Sequence, residues 1–316
     1  MLNTAQSTVY RAFGLTVSSE IPLPELVVAG EEDTQADVVI QIDASQSASL
    51  YAELKAQNRQ LIVKDGKVIF HIPHLALFSI EDGRTITVHP LTEIFQKEVR
   101  LYLLGTCMGS VLLQRKILPM HGSAILMNGK AYAFVGLSGA GKSTLAAALI
   151  SKGYPLLSDD VIAITPDGED GGPVVTPSYP QQKLWQNSLT QLKMDNQDYH
   201  PLYEIDTAVK YSVPVSSDYC SRIVPLGGVF ELQKTDEETV SLKRCTTLEA
   251  VQIFRGHTFR DFLLPMLDLD AWHFSQSTSI IHHIDVYRLQ RPASLLTIDQ
   301  LAQLIIETVD EGGQTS

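Results

Sequence analysis

Cysteine, basic residues and long apolar runs are all scarce in this chain. Its three cysteines, Cys107, Cys220 and Cys245, lie far apart in 316 residues and include no Cys-x-x-Cys spacing. An odd number of distant cysteines gives no disulfide framework, so we expect a reducing compartment, the cytoplasm. No stretch reaches the ~18 apolar residues of a membrane span. Residues 1–11 lack the basic start and apolar core of a secretory signal, and we expect no membrane partner.

Acidic residues outnumber basic ones, 36 against 24, which gives a formal net charge of -12. This balance argues against nucleic acid as the main partner, although a local basic cluster can still bind an anionic ligand. Hydrophobic residues make up 44% and charged residues 19% of the chain, as in ordinary globular proteins. No spacing of His, Cys and Glu is typical of a zinc site, so we expect no structural metal.

The first third of the chain has the pattern of a β-rich α+β domain. Residues 9–17 and 37–42 are predicted strands, and Asp65-Gly66 and Asp82-Gly83 are predicted hairpin turns. Residues 44–59 are expected to be a loop with a short helix, and 93–115 a mostly buried helix. We therefore predict an N-terminal domain over 1–115, of unknown role, and a second domain over 116–316.

Strands and helices alternate in the second domain. The sequence predicts a hairpin at Asn128-Gly129, a helix over 142–152, and strands at 156–157 and 161–165 with Asp159 and Asp160 between them. A helix over 246–264 is predicted to begin at a capping box of Thr246 and Glu249. A strand over 283–289 and a helix over 297–309 follow. This order indicates an α/β fold.

The strongest motif is Gly136-Leu137-Ser138-Gly139-Ala140-Gly141-Lys142-Ser143, a full match to G-x-x-x-x-G-K-[ST] between a predicted strand and a predicted helix. Glycines let the backbone wrap round a phosphate chain, and the amides and the helix N-terminus then face the phosphates. Lys142 would reach the β- and γ-phosphates, and the Ser143 hydroxyl would ligate Mg²⁺. The predicted cofactors are ATP and Mg²⁺, and the predicted cofactor-binding residues are Ser138, Gly139, Ala140, Gly141, Lys142, Ser143 and Thr144.

Asp159 and Asp160 follow Lys142 after one predicted helix, which can return them to the side of the phosphate loop. Two adjacent carboxylates near Mg²⁺ and phosphate can divide the work. One can hold the metal, and the other can accept the proton of an attacking hydroxyl. A solvated Asp-Asp turn is the alternative. His121 begins the strand pair that leads into the loop, and on its own it would more often be a packed or surface histidine.

These residues resemble a known catalytic domain. Met120-His121-Gly122, the phosphate loop and the segment 152–160 look like the corresponding motifs of bacterial HPr kinase/phosphorylase. The wider chain resembles a subgroup of HPr kinase-like proteins found in lasso-peptide biosynthesis. The segments that fit this subgroup are 10–26, 103–105, 183–185 and 286–289.

The resemblance implies a P-loop fold related to phosphoenolpyruvate carboxykinase and ATP-dependent phosphorylation of a serine hydroxyl. It places Lys142 and Ser143 on phosphate and Mg²⁺ and makes Asp159 the general base. Asp160 would assist the metal or orient His121, and the sequence leaves the order of the two aspartates open. The implied partner is a peptide or protein substrate with an acceptor serine, and homo-oligomer formation stays open.

One family signature is missing. HPr kinase/phosphorylases carry a Glu-[Ile/Leu]-Arg-Gly run after the acidic pair, and this chain has none; Leu202-Tyr203-Glu204-Ile205-Asp206 is a poor substitute. That signature belongs with phosphorolysis and with the hexamer, so we expect neither here. The N-terminal domain also differs from theirs, which makes HPr a less favoured acceptor than the C-terminal serine of a lasso-peptide precursor.

Further basic residues are weaker candidates for phosphate or substrate contacts. Arg255, His257 and Arg260 have helical spacing, and a solvated helix face is the favoured interpretation. Arg288 and Arg291 flank a predicted strand end. Lys183 with Trp185, and Lys210 with Tyr211, could line a nucleotide or peptide groove, or lie on the surface. Of the basic residues, Arg260, Arg288 and Lys183 are the predicted phosphate or substrate contacts.

The leading hypothesis is therefore an ATP- and Mg-dependent peptide serine kinase with an aspartate base. A kinase of an HPr-like carrier protein or of a small hydroxylated metabolite is the first alternative. A non-catalytic nucleotide-binding module is the second, and the intact acidic pair argues against it. The acceptor itself distinguishes the first two hypotheses, and any transfer at all excludes the third.

Overall fold

The computed structural model describes residues 7–30, 33, 35–91, 96–166, 168, 171–195, 199–205, 208–293 and 297–313. The strands are β1 (Thr8–Ala12), β2 (Leu15–Ser19), β3 (Val27–Val28), β4 (Val38–Ile42), β5 (Leu61–Lys64), β6 (Lys67–Ile72), β7 (Ala76–Glu81), β8 (Thr85–Pro90), β9 (Leu118–Met127), β10 (Lys130–Val135), β11 (Leu156–Thr165), β12 (Val174–Thr176), β13 (Gln181–Trp185), β14 (His200–Ile205), β15 (Ala208–Pro214), β16 (Val224–Thr235), β17 (Ser241–Arg244) and β18 (Asp285–Pro292). The α-helices are α1 (Ser47–Ala56), α2 (Gln96–Tyr102), α3 (Met108–Gln114), α4 (Lys142–Ser151), α5 (Gln186–Gln191), α6 (Thr247–Gly256), α7 (Leu263–Met266), α8 (Asp270–His283) and α9 (Ile298–Gly313). A π-helical segment, Leu103–Cys107, joins α2 to α3, and Ser216–Asp218 form a 3₁₀ turn.

The chain divides into two compact units. One contains residues 1–117 and 262–270, and the other contains 118–261 and 271–316. The division thus lies two residues beyond the position named in the sequence analysis. Residues 262–270 pack with the first unit although the sequence analysis placed them in the second domain. Two of their four leucines, Leu263 and Leu264, are fully buried.

The first unit is built on an eight-stranded sheet of order β3-β1-β2-β4-β8-β7-β6-β5. The predicted hairpin turns at Asp65-Gly66 and Asp82-Gly83 are confirmed, and all four residues have positive φ, as such turns require. The single strand predicted over 9–17 is wrong. Phe13 and Gly14 both have positive φ and fold it into the β1–β2 hairpin.

The second unit carries the phosphate-loop motif. Its seven-stranded sheet has the order β10-β9-β11-β12-β16-β18-β17, and β10 also pairs in parallel with β16. Helices α4 and α9 contribute to one apolar cluster against the sheet, and α6 and α8 contribute to another. A separate three-stranded sheet has the order β13-β15-β14. The predicted α/β class is confirmed by this mixture of helices with several sheets.

Two sequence predictions in the second unit need correction. Asp159 and Asp160 lie inside one continuous strand, β11, instead of in a turn between two strands. The helix predicted over 246–264 ends at Gly256, because the next residues join the sheet edge: Thr258 bridges to Met120. The capping box of Thr246 and Glu249 at its start is confirmed. No helix in the part of the chain described by the structure is long and apolar enough to cross a membrane.

Candidate active site

The loop from Gly136 to Ser143, called the glycine loop below, connects β10 to α4. Gly136, Gly139 and Gly141 have φ values of 147°, 77° and 107°, which side-chain-bearing residues rarely adopt. A Cβ at Gly136 would lie 2.4 Å from the carbonyl oxygen of Leu232. The glycines are therefore needed both for the turn and for the close approach of β16.

Lys142 begins α4 and folds back over the glycine loop. Its Nζ donates hydrogen bonds to the carbonyl oxygens of Gly136 at 2.8 Å and Leu137 at 3.2 Å. Burial lowers the pKa of Lys142, and the nearby Asp159 carboxylate opposes that shift. The ammonium thus lies inside the loop, where it can exchange carbonyl oxygens for phosphate oxygens.

Asp159 is held by three donors. Its Oδ1 accepts from the hydroxyls of Ser123 at 2.6 Å and Ser143 at 3.1 Å, and its Oδ2 accepts from the backbone N–H of Lys183 at 2.8 Å. The residue is only 3% exposed. A carboxylate beside the Ser143 hydroxyl provides the hard oxygen ligands that Mg²⁺ prefers.

Asp160 has different surroundings. Its Oδ2 pairs with Lys183 Nζ at 2.7 Å, and its Oδ1 lies 3.6 Å from His121 Nδ1. Burial alone would raise the pKa of Asp160, but the Lys183 ammonium outweighs it and holds that pKa well below its usual range. The backbone at Asp160 has a φ of 76° although it lies within a strand. This left-handed conformation is strained for an aspartate and is of the kind that clusters at active sites.

His121 lies on β9 beside the acidic pair. Its Nδ1 is 3.0 Å from the carbonyl oxygen of Asp160, and its backbone N–H donates to His257 at 2.7 Å. Burial lowers the pKa of His121, so the ring is neutral at neutral pH and its contact with Asp160 is a hydrogen bond. The ring also packs against Phe259, with centroids 5.9 Å apart.

The glycine loop, His121, Asp159 and Asp160 open on one cavity of about 770 Å³. Its walls carry more cationic than acidic side chains, which suits a phosphate ligand despite the acidic chain as a whole. The cationic residues of the described lining are Lys142, Lys210, Lys234 and Arg291, against Asp159 and Asp160.

The two sides of this cavity differ. On the β11 side, Lys210 lies over the Trp185 ring, 5.5 Å from its centroid, near the acidic pair. On the β16 and β18 side, an apolar wall lies beside Lys234 and Arg291; it is formed by Leu232, Ala293, Ile298 and Leu301, with Thr297. Within the described residues, the buried Thr297 hydroxyl has no hydrogen-bond partner. A ligand with a polar edge could satisfy this hydroxyl.

Arg291 stands between this apolar wall and the glycine loop. Its Nε donates to the carbonyl oxygen of Ala140 at 3.1 Å, and its Nη1 donates to that of Pro292. Burial lowers the pKa of Arg291. Both of these bonds end on neutral oxygens, so the guanidinium charge is available to an anion at the loop.

The structure separates the other residues named from the sequence. Ser138, Gly139, Gly141 and Thr144 line the cavity, while Ala140 is buried beneath it and accepts from Arg291. The Thr144 hydroxyl is 2.7 Å from that of Ser188. Lys183 lies behind the aspartates, outside the described lining.

Arg288 and Arg260 have other neighbours. Arg288 pairs with Glu231 and Glu249, and Arg260 stacks on Phe259. Neither arginine is in the described lining of the cavity. Their positions give no support to the phosphate contacts suggested by the sequence.

Three contributors were missed by sequence reasoning: Ser123, Lys234 and Thr297. Ser123 carried a usable signal, since it lies two residues after His121 and so shares its face of a predicted strand. Lys234 and Thr297 reach the cavity only because β16 and α9 pack beside the loop, and no local pattern marks them.

Comparison with known proteins adds little at the level of sequence. No protein-family profile matches the chain, and no curated protein matches it. Among solved structures, the chain is similar to the HPr(Ser) kinase/phosphatase from Coxiella burnetii. The match has 15% sequence identity and a TM-score of 0.33, and it covers 62% of this chain and 95% of that one. This is a weak overall similarity, so the site is interpreted from its own geometry.

Proposed function

We propose that this chain is an ATP- and Mg-dependent kinase that transfers the γ-phosphoryl group to a serine hydroxyl of a peptide. The observation that carries the proposal is the hydrogen bond between Ser143, at the head of α4, and Asp159. It joins the glycine loop to the acidic pair in one cavity. A phosphate-binding loop, a pair of metal ligands and a second carboxylate are the parts that phosphoryl transfer needs.

One orientation of the donor nucleotide matches the polar and apolar sides of the cavity. Ser143 and Asp159 would hold the metal on the β11 side, and the γ-phosphate with it; there Mg²⁺ would neutralise charge on the β- and γ-phosphates. The nucleoside then extends to the opposite side, against Leu232 and Ile298. Arg291 is placed for the phosphates between these ends, and the orphaned Thr297 hydroxyl for a polar edge of the nucleoside.

The contacts favour the reversed order of the two aspartates. Both oxygens of Asp159 are already occupied by three donors, one of them Ser143, which suits a metal ligand. Asp160 Oδ1 takes no part in the Lys183 pair, so it can accept the proton of an attacking hydroxyl. We therefore assign Asp160 as the general base and Asp159 to the metal. His121, as a neutral ring, holds the backbone of Asp160 in place.

The resemblance of the sequence to lasso-peptide kinases makes the C-terminal serine of a precursor peptide the favoured acceptor. The opening on the β11 side, with Trp185 and Lys210, provides an aromatic and a cationic contact for a peptide. The other acceptors under consideration are an HPr-like carrier protein and a small hydroxylated metabolite.

The test is a comparison of acceptors with γ-labelled ATP and Mg²⁺. Each class, a serine-terminated precursor peptide, an HPr-like protein and a hydroxylated metabolite, is incubated separately with wild-type protein and with Lys142→Ala. We expect label on the peptide and a loss of about 100-fold in rate for the variant. Label on one of the other acceptors would move the assignment to that class. Nucleotide binding without transfer to any acceptor would indicate the non-catalytic module.

A further inference from the structure

Lys183 lies in the middle of β13 and contacts both members of the acidic pair. Its backbone N–H donates to Asp159 Oδ2 at 2.8 Å, and its Nζ pairs with Asp160 Oδ2 at 2.7 Å. The residue is 5% exposed and lies outside the described cavity lining. It therefore touches the two carboxylates from behind, away from the space that a substrate would fill.

The strand that carries Lys183 is itself fixed. It pairs with β15, where Lys183 is opposite Ser212, and the side chain of neighbouring Gln181 bonds to the Ser212 hydroxyl. Gln182 reaches the carbonyl oxygen of Ser143 at 3.5 Å. β13 thus contacts the head of α4 as well as the acidic pair, which makes it a rigid reference between them.

We propose that Lys183 is a positioning residue that sets the placement of Asp160 relative to Asp159. The proposal rests on the proposed function, because it gives the two carboxylates their separate roles. Neighbouring carboxylates repel each other, and successive side chains of a regular strand point to opposite faces. The turned backbone at Asp160 brings both to one site, and the Lys183 ammonium offsets their repulsion.

The contact of the ammonium with Oδ2 also decides which oxygen of Asp160 is used. Lys183 takes Oδ2, so Oδ1 stays on the His121 side, 3.6 Å from its Nδ1. An arginine in this place would present a wider, forked donor set that tends to engage both oxygens. The geometry of a lysine is thus part of the arrangement, beyond its charge.

The experiment compares Lys183→Met and Lys183→Arg with Lys243→Met. Lys243 is a matched control, since it forms a lysine–carboxylate pair with Glu249 but is 71% exposed. Three measurements are made for each variant. They are kcat with the acceptor that the labelling test identifies, the Kd for Mg–ATP, and a crystal structure of the full chain. Thermal melting shows whether each variant is folded.

We expect Lys183→Met to lower kcat by about 100-fold, the cost typical of a misplaced reacting group, while the Kd for Mg–ATP stays within about threefold. In its crystal structure the Asp160 carboxylate should leave its present place. Lys183→Arg keeps the charge and tests the case in which the methionine variant does not fold. We expect it to melt near the wild-type temperature with kcat at least about tenfold lower.

Three results would overturn the proposal. The first is wild-type kcat in Lys183→Arg, which would limit the role of the residue to charge compensation, and the second is an Asp160 carboxylate that stays in place in Lys183→Met. Parallel losses of kcat and Mg–ATP affinity would do the same. A wild-type protein that transfers phosphate to no acceptor would instead contradict the proposed function, and the crystal structures would still decide the role of Lys183.

Discussion

Two adjacent aspartates of identical chemistry have unlike environments in this molecule. Asp159 is almost fully buried and accepts three hydrogen bonds, whereas the Asp160 carboxylate pairs with the Lys183 ammonium and its side chain is 19% exposed. A group whose oxygens all accept hydrogen bonds suits a fixed ligand, and a carboxylate on the cavity wall with one oxygen outside its ammonium pair suits proton transfer. The division of labour therefore follows from the neighbours of each carboxylate.

This difference predicts unlike defects for Asp159→Asn and Asp160→Asn. The Asp160 variant should bind Mg–ATP normally and lose about 10²–10⁴-fold in kcat, the usual contribution of a general base. The Asp159 variant should weaken the Mg²⁺-dependent part of ATP binding by about tenfold, because it removes a charged metal ligand. Calorimetric titration of ATP with and without Mg²⁺ separates the two. The opposite pattern would exchange the two roles.

Arg291 is predicted to act on the donor phosphates. Arg291→Met should raise the Kd for ATP about 10- to 100-fold, since hydrogen bonds to charged groups contribute about 1.5–3 kcal/mol. Adenosine, which lacks phosphates, should bind the variant and the wild type equally. Arg244→Met is the control, because Arg244 is 71% exposed and pairs with Asp285. Equal losses for adenosine and ATP would show that Arg291 supports the fold of the cavity and not the phosphates.

At the scale of elements, the β9–β10 hairpin depends on a glycine beside His121. Gly122 lies where a Cβ would come within 2.3 Å of the carbonyl oxygen of Phe134. That atom belongs to the backbone of the paired strand, so Gly122→Ala should destabilise the fold by about 1–3 kcal/mol.

The control for this substitution is Gly256→Ala at the end of α6. A Cβ there would meet nothing within 4 Å, and alanine is the better helix former. Urea unfolding should therefore show a lower midpoint for Gly122→Ala and an unchanged or higher one for Gly256→Ala. Equal midpoints would mean that β9 can shift away from β10 at no cost.

A buried network ties β16 to α6 and β18 through Glu231. His257 Nε2 lies 3.0 Å from Glu231 Oε1, and Arg288 donates to Oε2 at 2.8 Å. Burial alone would raise the pKa of Glu231, but these two partners outweigh it and lower the pKa below 4.5. A carboxyl with a depressed pKa stabilises the fold above its unfolded-state pKa and loses that effect as the pH falls through its folded-state pKa.

Glu231→Gln should therefore reduce the free energy of unfolding at pH 7 by about 1–3 kcal/mol. The difference from wild type should shrink as the pH falls below 4.5, where the wild-type carboxyl begins to take up a proton. Urea unfolding across this pH range measures it, with the exposed Glu238→Gln as control. A difference that is the same at every pH would assign the effect to packing instead of charge.

Elements with local signals were predictable, and those that depend on distant partners were not. The hairpins at Asp65-Gly66 and Asn128-Gly129 and the capping box at Thr246 are set by neighbouring residues and were found. β11 runs through Asp159 and Asp160 although two adjacent aspartates favour a turn, because β9 pairs with it on both sides of the pair. Pairing across the sheet overrode local propensity there.

At the scale of the whole molecule, the charge of the cavity opposes that of the chain. The formal net charge is -12, yet the described cavity walls carry four cationic side chains and two carboxylates. Composition argues against nucleic acid as the main partner, but it does not locate this basic concentration. Arg291 contacts Ala140 across 151 residues of sequence, and only the fold brings such pairs together.

The residues of the candidate site also differ in whether the sequence could predict their roles. The glycine loop and the acidic pair were recognisable because a phosphate-binding motif is continuous in sequence. Lys183 was suggested only as a phosphate or substrate contact, and its actual place behind two carboxylates depends on the register of β13. Side chains that act through others leave no local pattern, since their role is defined by a third residue.

The most direct test of the central claim is the intact mass of a serine-terminated precursor peptide after incubation with this protein, ATP and Mg²⁺. The same peptide with a C-terminal alanine and the Asp160→Asn protein are the controls. We predict a gain of about 80 Da, one phosphoryl group, on the serine peptide alone and only with the wild-type protein. An unchanged mass with Mg–ATP demonstrably bound, or an equal gain with Asp160→Asn, would contradict the account.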